Sequence, residues 1–420
     1  MHIYFSGIGG VGLGPLAEIT RDAGHQVSGS DREEGLMTRQ LRVSGINIAI
    51  GQDGSQINLA HTSQPIDWFV YTAALPEDHP ELLYARDNGI RVSKRDELLA
   101  HIIEEKDLKL IAVSGTHGKT TTTGMLIWAF KQLGLPASYA VGTTLSFGPS
   151  GKFDPSSEYF IYECDEFDRN MLHFEPHLTL ITSLDYDHPD TYENPHVYKD
   201  AFVTFLEQSG YCMLWEKDLR YLGADPRADL EAYDEFLDLG HIKLAGDHVR
   251  HNAYLVERAV GRLFPDAGRK QITSALNDFP GTARRFEKLA ENLYTDYGHH
   301  PVEIAATLQL ARELSEHVVL VYQPHQNVRQ HEIKHDYTNC MQLADEIYWL
   351  PTYQSREDPD LEVLTPEQLS ANLVNRDSVH IANLNDELWI SLQKHRDSGS
   401  LILCMGAGSI DSWVREHLQS

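Results

Sequence analysis

The sequence predicts an α/β protein built on mostly parallel sheets, and three observations carry that expectation. Apolar, β-branched runs alternate along the chain with helix-competent segments, which is the rhythm of βαβ units. Two strand-to-helix junctions are glycine-rich, at residues 7–12 and 115–118. The chain has 420 residues, enough for two or three domains with cores of their own.

The first segment opens with a strand at His2 to Ser6, a glycine turn, a helix from about Pro15 to Asp22 and a second strand ending at Asp31. The turn, GIGGVG, satisfies G-x-G-x-x-G, and Asp31 lies about 20 residues further on, where a dinucleotide fold places an acid. NAD is one ligand for such a turn, and any other diphosphate is another. Gly7, Ile8, Gly9, Gly10, Val11, Gly12 and Asp31 are the candidate contacts. Further strands and helices are expected at 67–72, 79–88, 90–93 and 95–103. The polar run EEKD then forms a hinge, so the first domain spans 1–107.

The second segment starts with LKLIAVSGTHGKTTTTG at 108–124, which reads as strand, glycine turn and helix. Backbone N–H groups of such a turn point inward around an anion, the helix N-terminus adds partial positive charge, and Lys119 adds a full one. Gly115, Thr116, His117, Gly118, Lys119, Thr120 and Thr121 therefore form a phosphate cradle. It is a shortened variant of the Walker pattern, because Val113 stands where the first glycine would be. Strands expected at 158–164 and 177–184 run into two acidic clusters, one of Glu163, Asp165, Glu166 and Asp168, the other of Asp185, Asp187, His188 and Asp190. The carboxyl ends of parallel strands form the ligand crevice, so both clusters can face the cradle. Carboxylates there suit magnesium, which a triphosphate brings with it. Solvated turn acids are the plainer reading of any one of them.

From 209 to 244 the pattern is poor. GDHVRHN then leads a helix, another covers about 270–277, and FPGTARRFE reads as a linker, giving domains of 108–282 and 283–420. The last segment repeats the α/β rhythm: a strand near 288–296, a helix after His299-His300-Pro301, a strand at 317–323, a helix at 331–343 and a strand at 346–350. Elements at 378–383, 385–398 and 400–405 follow, with a final helix at 409–418.

The formal charge of -27 argues against nucleic acid as a partner, although glycine loops and a few cations can reverse the field inside a cleft. No apolar run reaches the length of a membrane span and the N-terminus lacks a signal pattern, so a cytoplasmic protein with no membrane partner is expected. The four cysteines show no metal or disulfide spacing and are expected to be buried thiols.

Taken in order, HIYFSGIGGVGLGPLAE, VSGSD, GTHGKTTTT, YECDEFD, DYDHPDTY, GDHVRHNA, GTARRFE, YTDYGHHPVE, QPH and MGAG resemble the Mur ligases, the ATP-dependent amide-bond ligases of peptidoglycan precursor synthesis. The resemblance runs end to end except at 210–245, where relatives carry extra strands. It implies an N-terminal Rossmann-like domain for a UDP-sugar, a central P-loop ATPase domain, and a C-terminal Rossmann-like domain that closes over both. The glycine loop at 7–12 would then hold the UDP diphosphate rather than NAD.

The resemblance is strongest to the alanine-adding members. It implies UDP-N-acetylmuramate, L-alanine and ATP with Mg2+ as substrates and cofactors, in a monomer or homodimer. Lys119 would stabilise the β- and γ-phosphates, Thr120 and Glu163 would hold one magnesium, and His188 a second. Asn252 would meet adenine, Arg285 the phosphates and Asp296 the ribose, while His299 and Arg329 would position the amino acid. The chain departs from the pattern at Val249, Phe167 and Gln326, the last costing an amino-acid clamp one charged partner. Lys199 lies near a position some members carbamoylate, and no role is assigned to it. Two further readings stay open: a recycling ligase that uses a preformed tripeptide, and a Mur-like protein that binds UDP-sugar or ATP without ligating.

Overall fold

Strand β1 (His2–Ser6) is buried at all five positions, with Ile3 and Phe5 facing one hydrophobic cluster and Tyr4 another. That is the signature of a strand covered on both faces, as parallel sheets require. In this computed structural model, which describes residues 1–72, 75–188, 191–355 and 357–419, two compact units are present. One comprises Met1–Asp238 with Leu255–Phe279, the other Leu239–Tyr254 with Pro280–Ser420.

The first unit opens with β1, α1 (Leu13–Asp22), β2 (Gln26–Asp31), α2 (Leu36–Val43), β3 (Asn47–Ile50), α3 (Ser55–Ser63), β4 (Trp68–Tyr71), α4 (Pro80–Asp87), β5 (Arg91–Lys94) and α5 (Arg95–Glu105). The strands form a parallel sheet in the order β3-β2-β1-β4-β5, so the chain reverses direction between β1 and β4. In such a sheet the ligand crevice lies at the carboxyl edge of that switch point, just where the first glycine loop leaves β1. Sequence patterning left α2, β3 and α3 unread. β3 is a four-residue edge strand with only one fully buried position, too short for a period to show.

The unit continues with β6 (Lys109–Ser114), α6 (Lys119–Gln132), β7 (Ser138–Ala140), β8 (Gly151–Lys152), β9 (Tyr159–Glu163), β10 (Leu178–Ile181), α7 (Pro195–Gln208), β11 (Cys212–Trp215), α8 (Glu216–Leu222), β12 (Leu230–Tyr233) and α10 (Arg269–Asn277), while α9 (Asp247–Leu263) belongs to the second unit through Tyr254 and to the first from Leu255. The second sheet has the order β12-β11-β10-β6-β9-β7-β8, parallel but for β8. The poorly patterned stretch from 209 to 244 supplies β11, α8 and β12. All four residues of β11 are buried, and a fully buried short strand shows no alternation.

The second unit carries β13 (Glu287–Ala290), β14 (Leu293–Asp296), α11 (Pro301–Leu314), β15 (Val318–Tyr322), α12 (Asn327–Ile333), β16 (Glu346–Trp349), α13 (Pro366–Ser370), β17 (Val379–Ile381), α14 (Asp386–Asp397), β18 (Leu401–Met405) and α15 (Ile410–Gln419). Its sheet runs β13-β14-β18-β15-β16-β17, parallel except for the β13–β14 hairpin. The single strand read near 288–296 is thus two strands turning at Asn292, whose φ is +55°. The helix read at 331–343 begins instead at Asn327 and ends at Ile333. A 3-10 turn at Asp336–Asn339 follows, carrying Tyr337 into the core, where its hydroxyl bonds Gln330 at 2.6 Å and Tyr322 at 2.8 Å.

All four cysteines are buried and unpaired. Among the described residues no helix is long and apolar enough to cross a membrane. Asp190 lies outside the described residues.

Gly29 marks where the first sheet tolerates no side chain, since a Cβ there would lie 2.4 Å from the Phe5 carbonyl oxygen on the neighbouring strand. Gly29→Ala is expected to cost about 1–3 kcal/mol by overpacking. Thermal or denaturant unfolding would measure it, and an unchanged midpoint would contradict the packing of β2 on β1.

Candidate active site

The first glycine loop is held shut by its own surroundings. The N–H groups of Gly7 and Ile8 donate to the Ser30 carbonyl at 2.9 and 3.0 Å, Gly10 donates to Gly7 at 3.1 Å, and Gly9 donates to the Asp31 carboxylate at 2.7 Å. Gly7 has φ +81°, which favours glycine. Asp31, the residue a dinucleotide fold would turn toward a ribose, here braces the loop. Beneath it Glu81, fully buried, accepts hydrogen bonds from Tyr4 (2.9 Å), Ser6 (2.6 Å) and Ser30 (2.7 Å). Val11 is 89% exposed at the loop's tip and Gly12 caps α1.

The second loop follows β6. Gly115 has φ +123°, and a Cβ on it would sit 2.6 Å from the Ser183 carbonyl, so only glycine fits. Thr116 donates its N–H to Ser183 at 2.8 Å and its hydroxyl to the Asp185 carbonyl at 2.7 Å, and meets the Tyr198 hydroxyl at 2.6 Å. His117 donates its N–H to the Ser183 hydroxyl at 3.3 Å and accepts from Thr182 at 2.5 Å. Gly118, at φ +87°, caps α6 without a side chain, so the first N–H groups of that helix, through Lys119, Thr120 and Thr121, face out of its end. This is the arrangement that binds phosphate.

Lys119 lies inside this loop. Its ammonium donates to the Gly115 and Thr116 carbonyls at 2.6 and 3.2 Å and to Glu166 at 2.7 Å. Thr120 donates to Glu163 at 2.6 Å, and the other Glu163 oxygen accepts from Gly142 N–H at 2.7 Å. His188 Nε2 lies 3.6 Å from Glu166, with the Phe167 ring packed edge-on against it at 5.3 Å. Ligand atoms of Asp165, Glu166 and His188 all lie within 4.8 Å of one another, a set able to hold a metal ion. Thr120 and Glu163 form a hydrogen-bonded pair of their own. Lys199, in turn, rests over the Tyr221 ring at 4.1 Å.

Charge in this cluster is finely opposed. Burial pushes the Glu166 carboxyl up, with the Lys119 ammonium pulling against it. Burial alone would lower Lys119, but Glu166, Asp165 and Glu163 outweigh it and hold the ammonium charged. Burial would likewise raise Asp165, yet Lys119, the Phe167 N–H and His188 keep it below the usual range. Glu166 is the functional partner that sequence reading did not single out. It stood in the acidic cluster, but only the turn after β9 shows which acid folds back on Lys119.

In the second unit, Asn252 is buried on α9, whose start is fixed by a two-pronged pairing of Arg250 with Glu313 at 2.7 and 2.8 Å. Asp296 ends β14 and accepts from the Phe286 and Gly298 N–H groups, both at 2.7 Å. Burial raises it to about 6 against the pull of Arg285. The Arg285 guanidinium lies 3.8 Å from Glu303 and 5.4 Å from the Tyr297 ring centre, whereas Arg284 turns inward to the Gly406 carbonyl at 3.0 Å. His300 caps α11, leaving His299 to meet Arg329 at 2.5 Å and the His325 ring at 5.4 Å. Gln326 adopts φ +59° and donates its N–H to Tyr353, whose ring stacks on His325 at 5.7 Å.

Two glycine turns, each leading from a parallel strand into a helix, and a set of metal-capable side chains beside the second accord with an ATP-dependent ligase, and the chain belongs to the Mur ligase family. Its residues 2–107 match the Mur ligase family catalytic domain, 113–232 the Mur ligase middle domain and 284–408 the Mur ligase glutamate ligase domain. The chain is 32% identical to a UDP-N-acetylmuramate–L-alanine ligase of Caldicellulosiruptor bescii over 97% of its length and 96% of that protein's. It is 31% identical to one of Porphyromonas gingivalis over 100% and 99%. The crystal structure of UDP-N-acetylmuramate-alanine ligase from Thermotoga maritima superposes with a TM-score of 0.75 at 25% identity, covering 100% of this chain and 98% of that one. A murein peptide ligase from Psychrobacter arcticus shares the fold, with a TM-score of 0.62 at 24% identity over 100% and 98%.

Burial lowers His299 from 6.5 to about 4. Above the higher value both folded and unfolded chains carry it neutral; as pH falls toward the lower one, the unfolded chain takes up a proton that the folded site resists. Stability contributed by neutral His299 is therefore lost with acid across that window. His299→Gln is expected to show a smaller fall in thermal midpoint between about pH 7 and about pH 5 than the unaltered protein. An identical fall would mean that His299 does not carry the effect.

Proposed function

We propose that the chain joins L-alanine to the carboxylate of UDP-N-acetylmuramate, with ATP hydrolysed to ADP and phosphate, in the synthesis of peptidoglycan precursors. The observation that carries this reading is a pair of glycine turns within one unit, each leading from a parallel strand into a helix, the second with Lys119 at the start of its helix. The division of labour is a UDP-sugar domain at 1–107, an ATP domain at 108–282 and an amino-acid and ATP-closing domain at 283–420. Soluble nucleotide substrates suit a cytoplasmic monomer or homodimer.

The chemistry follows from what a carboxylate lacks. Its leaving group would be oxide, so the sugar carboxylate must first take the γ-phosphoryl group of ATP and become an acyl phosphate. The amine of alanine then attacks that carbonyl and phosphate departs. Phosphoryl transfer asks the protein mainly for positioning and charge neutralisation. Lys119, released from Glu166, supplies positive charge to the β- and γ-phosphates, and the first N–H groups of α6 supply oriented dipoles. Thr120 with Glu163, and His188 with Asp165 and Glu166, offer the oxygen and imidazole donors that magnesium accompanying ATP would use. Such an ion neutralises phosphate charge. Asn252, Arg285 and Asp296 serve adenine, phosphates and ribose, while His299 and Arg329 orient the amino acid.

The test is phosphate release from ATP with UDP-N-acetylmuramate, against a panel of single amino acids and the tripeptide L-Ala-γ-D-Glu-diaminopimelate. Turnover with L-alanine is expected, showing that Gln326 is compatible with its capture. Turnover only with the tripeptide would make this a recycling ligase, and UDP-sugar binding with no turnover a non-ligating relative. Lys119→Ala is expected to cut phosphate release by roughly 100- to 1,000-fold or more. It should leave the fold intact, because Glu166 can take up a proton once its partner is gone. Normal turnover in that variant would sink the assignment of the second loop.

A further inference from the structure

A diphosphate at the first glycine loop needs donors, and the loop's own are largely committed. Gly7, Ile8, Gly9 and Gly10 all direct their N–H groups to protein oxygens. Asp31 adds negative charge at the same place. A chain of net charge -27 must therefore bring a cation there from elsewhere.

Arg95 is that cation by position. It is the first residue of α5, directly beyond the carboxyl end of β5, and its guanidinium lies across Gly12. A Cβ built on Gly12 would fall 2.8 Å from Arg95 Nη1 and 3.6 Å from its Cδ, so the arginine side chain lies directly against the last glycine of the motif. Arg95 Nε donates to Asp96 at 3.2 Å. Asp96 is only 2% exposed and also accepts the Tyr162 hydroxyl. Among the described residues neither Nη1 nor Nη2 donates to a protein acceptor, and the Arg95 side chain is 37% exposed. Neighbouring Lys94 is engaged with Asp168. The guanidinium is thus anchored through one nitrogen and open through the other two.

We propose that Arg95 is the charged arm of the UDP-sugar site, its two Nη groups taking the diphosphate oxygens beside the N-terminus of α1, with Asp96 and Tyr162 as positioning residues. The proposal rests on reading the loop at 7–12 as the UDP-sugar site. A guanidinium fork matches two phosphate oxygens in a way an ammonium does not. Tyr162 precedes Glu163, which bonds Thr120, so the mount of Arg95 stands on the strand that also serves the ATP loop.

The experiment is calorimetric binding of uridine, UMP, UDP, UDP-N-acetylmuramate and ATP to the unaltered chain and to Arg95→Gln, Arg95→Lys and Tyr162→Phe. Arg95→Gln is expected to weaken UDP and UDP-N-acetylmuramate by roughly 10- to 100-fold, the loss of a charge-assisted pair, with uridine and ATP unchanged. Arg95→Lys should keep part of that affinity, and Tyr162→Phe should weaken UDP a few-fold while sparing uridine. UDP binding by Arg95→Gln equal to that of the unaltered chain, or the same loss for uridine as for UDP, would overturn the proposal alone. Failure of the unaltered chain to bind any uridine nucleotide would overturn the loop's assignment and this proposal together.

Discussion

The buried pairing of Lys119 with Glu166 is the interaction on which the order of the second glycine loop depends. An ammonium enclosed by a loop and an acid at the turn after β9 both pay for desolvation, and neither would be tolerated charged without the other. Their 2.7 Å contact orders the loop, because the same ammonium also ties down the carbonyls of Gly115 and Thr116. It also fixes the turn after β9, and through Glu166 it sets where His188 can stand. On the proposed function, a phosphate entering the loop would offer Lys119 a second anion, so binding would exchange partners for the ammonium rather than create a charge from nothing.

Parallel topology explains why so much falls at one edge. Each loop follows the carboxyl end of a strand and precedes a helix, so helix dipoles and unpaired N–H groups gather where ligands bind. Backbone strain gathers there too. Asp168, Arg169 and His188 in the first unit, and Arg284, Phe286 and Gln326 in the second, take positive φ without being glycine. Such conformations persist only where surroundings over-determine them. Tyr353 holds Gln326, and Asp296 holds the N–H of Phe286.

What the sequence disclosed follows from how local each signal is. The two glycine loops, β1, β2, β6 and the long helices are carried by contiguous residues, and patterning reads them. The strands between Leu36 and Ser63 and between Cys212 and Tyr233 show no period because each is only four residues long, β3 and β12 lying at sheet edges and β11 being wholly buried. α12 was misplaced because its start depends on the unusual backbone of Gln326, which no propensity scale anticipates. Site residues divide the same way. Lys119 and Thr120 belong to a readable motif, whereas the choice of Glu166 as partner to Lys119 depends on a turn whose residues say only that they are acidic. Arg95 is more remote still, since nothing in RDELLA shows that its guanidinium crosses Gly12.

A strongly acidic chain that handles two polyphosphates faces a conflict, and beside its glycine loops the structure sets cations on carboxylates. Arg95 stands on Asp96 and Lys119 on Glu166. Each acid reduces the field its cation projects, which weakens attraction at a distance. In return the long side chain is already ordered, so less conformational entropy is lost when the ligand arrives. The acids also remain when the ligand leaves, giving the cation a partner to return to. A site built this way favours a ligand that reaches several anchored cations and N–H groups together over a simple anion that meets one, and a nucleotide polyphosphate is such a ligand.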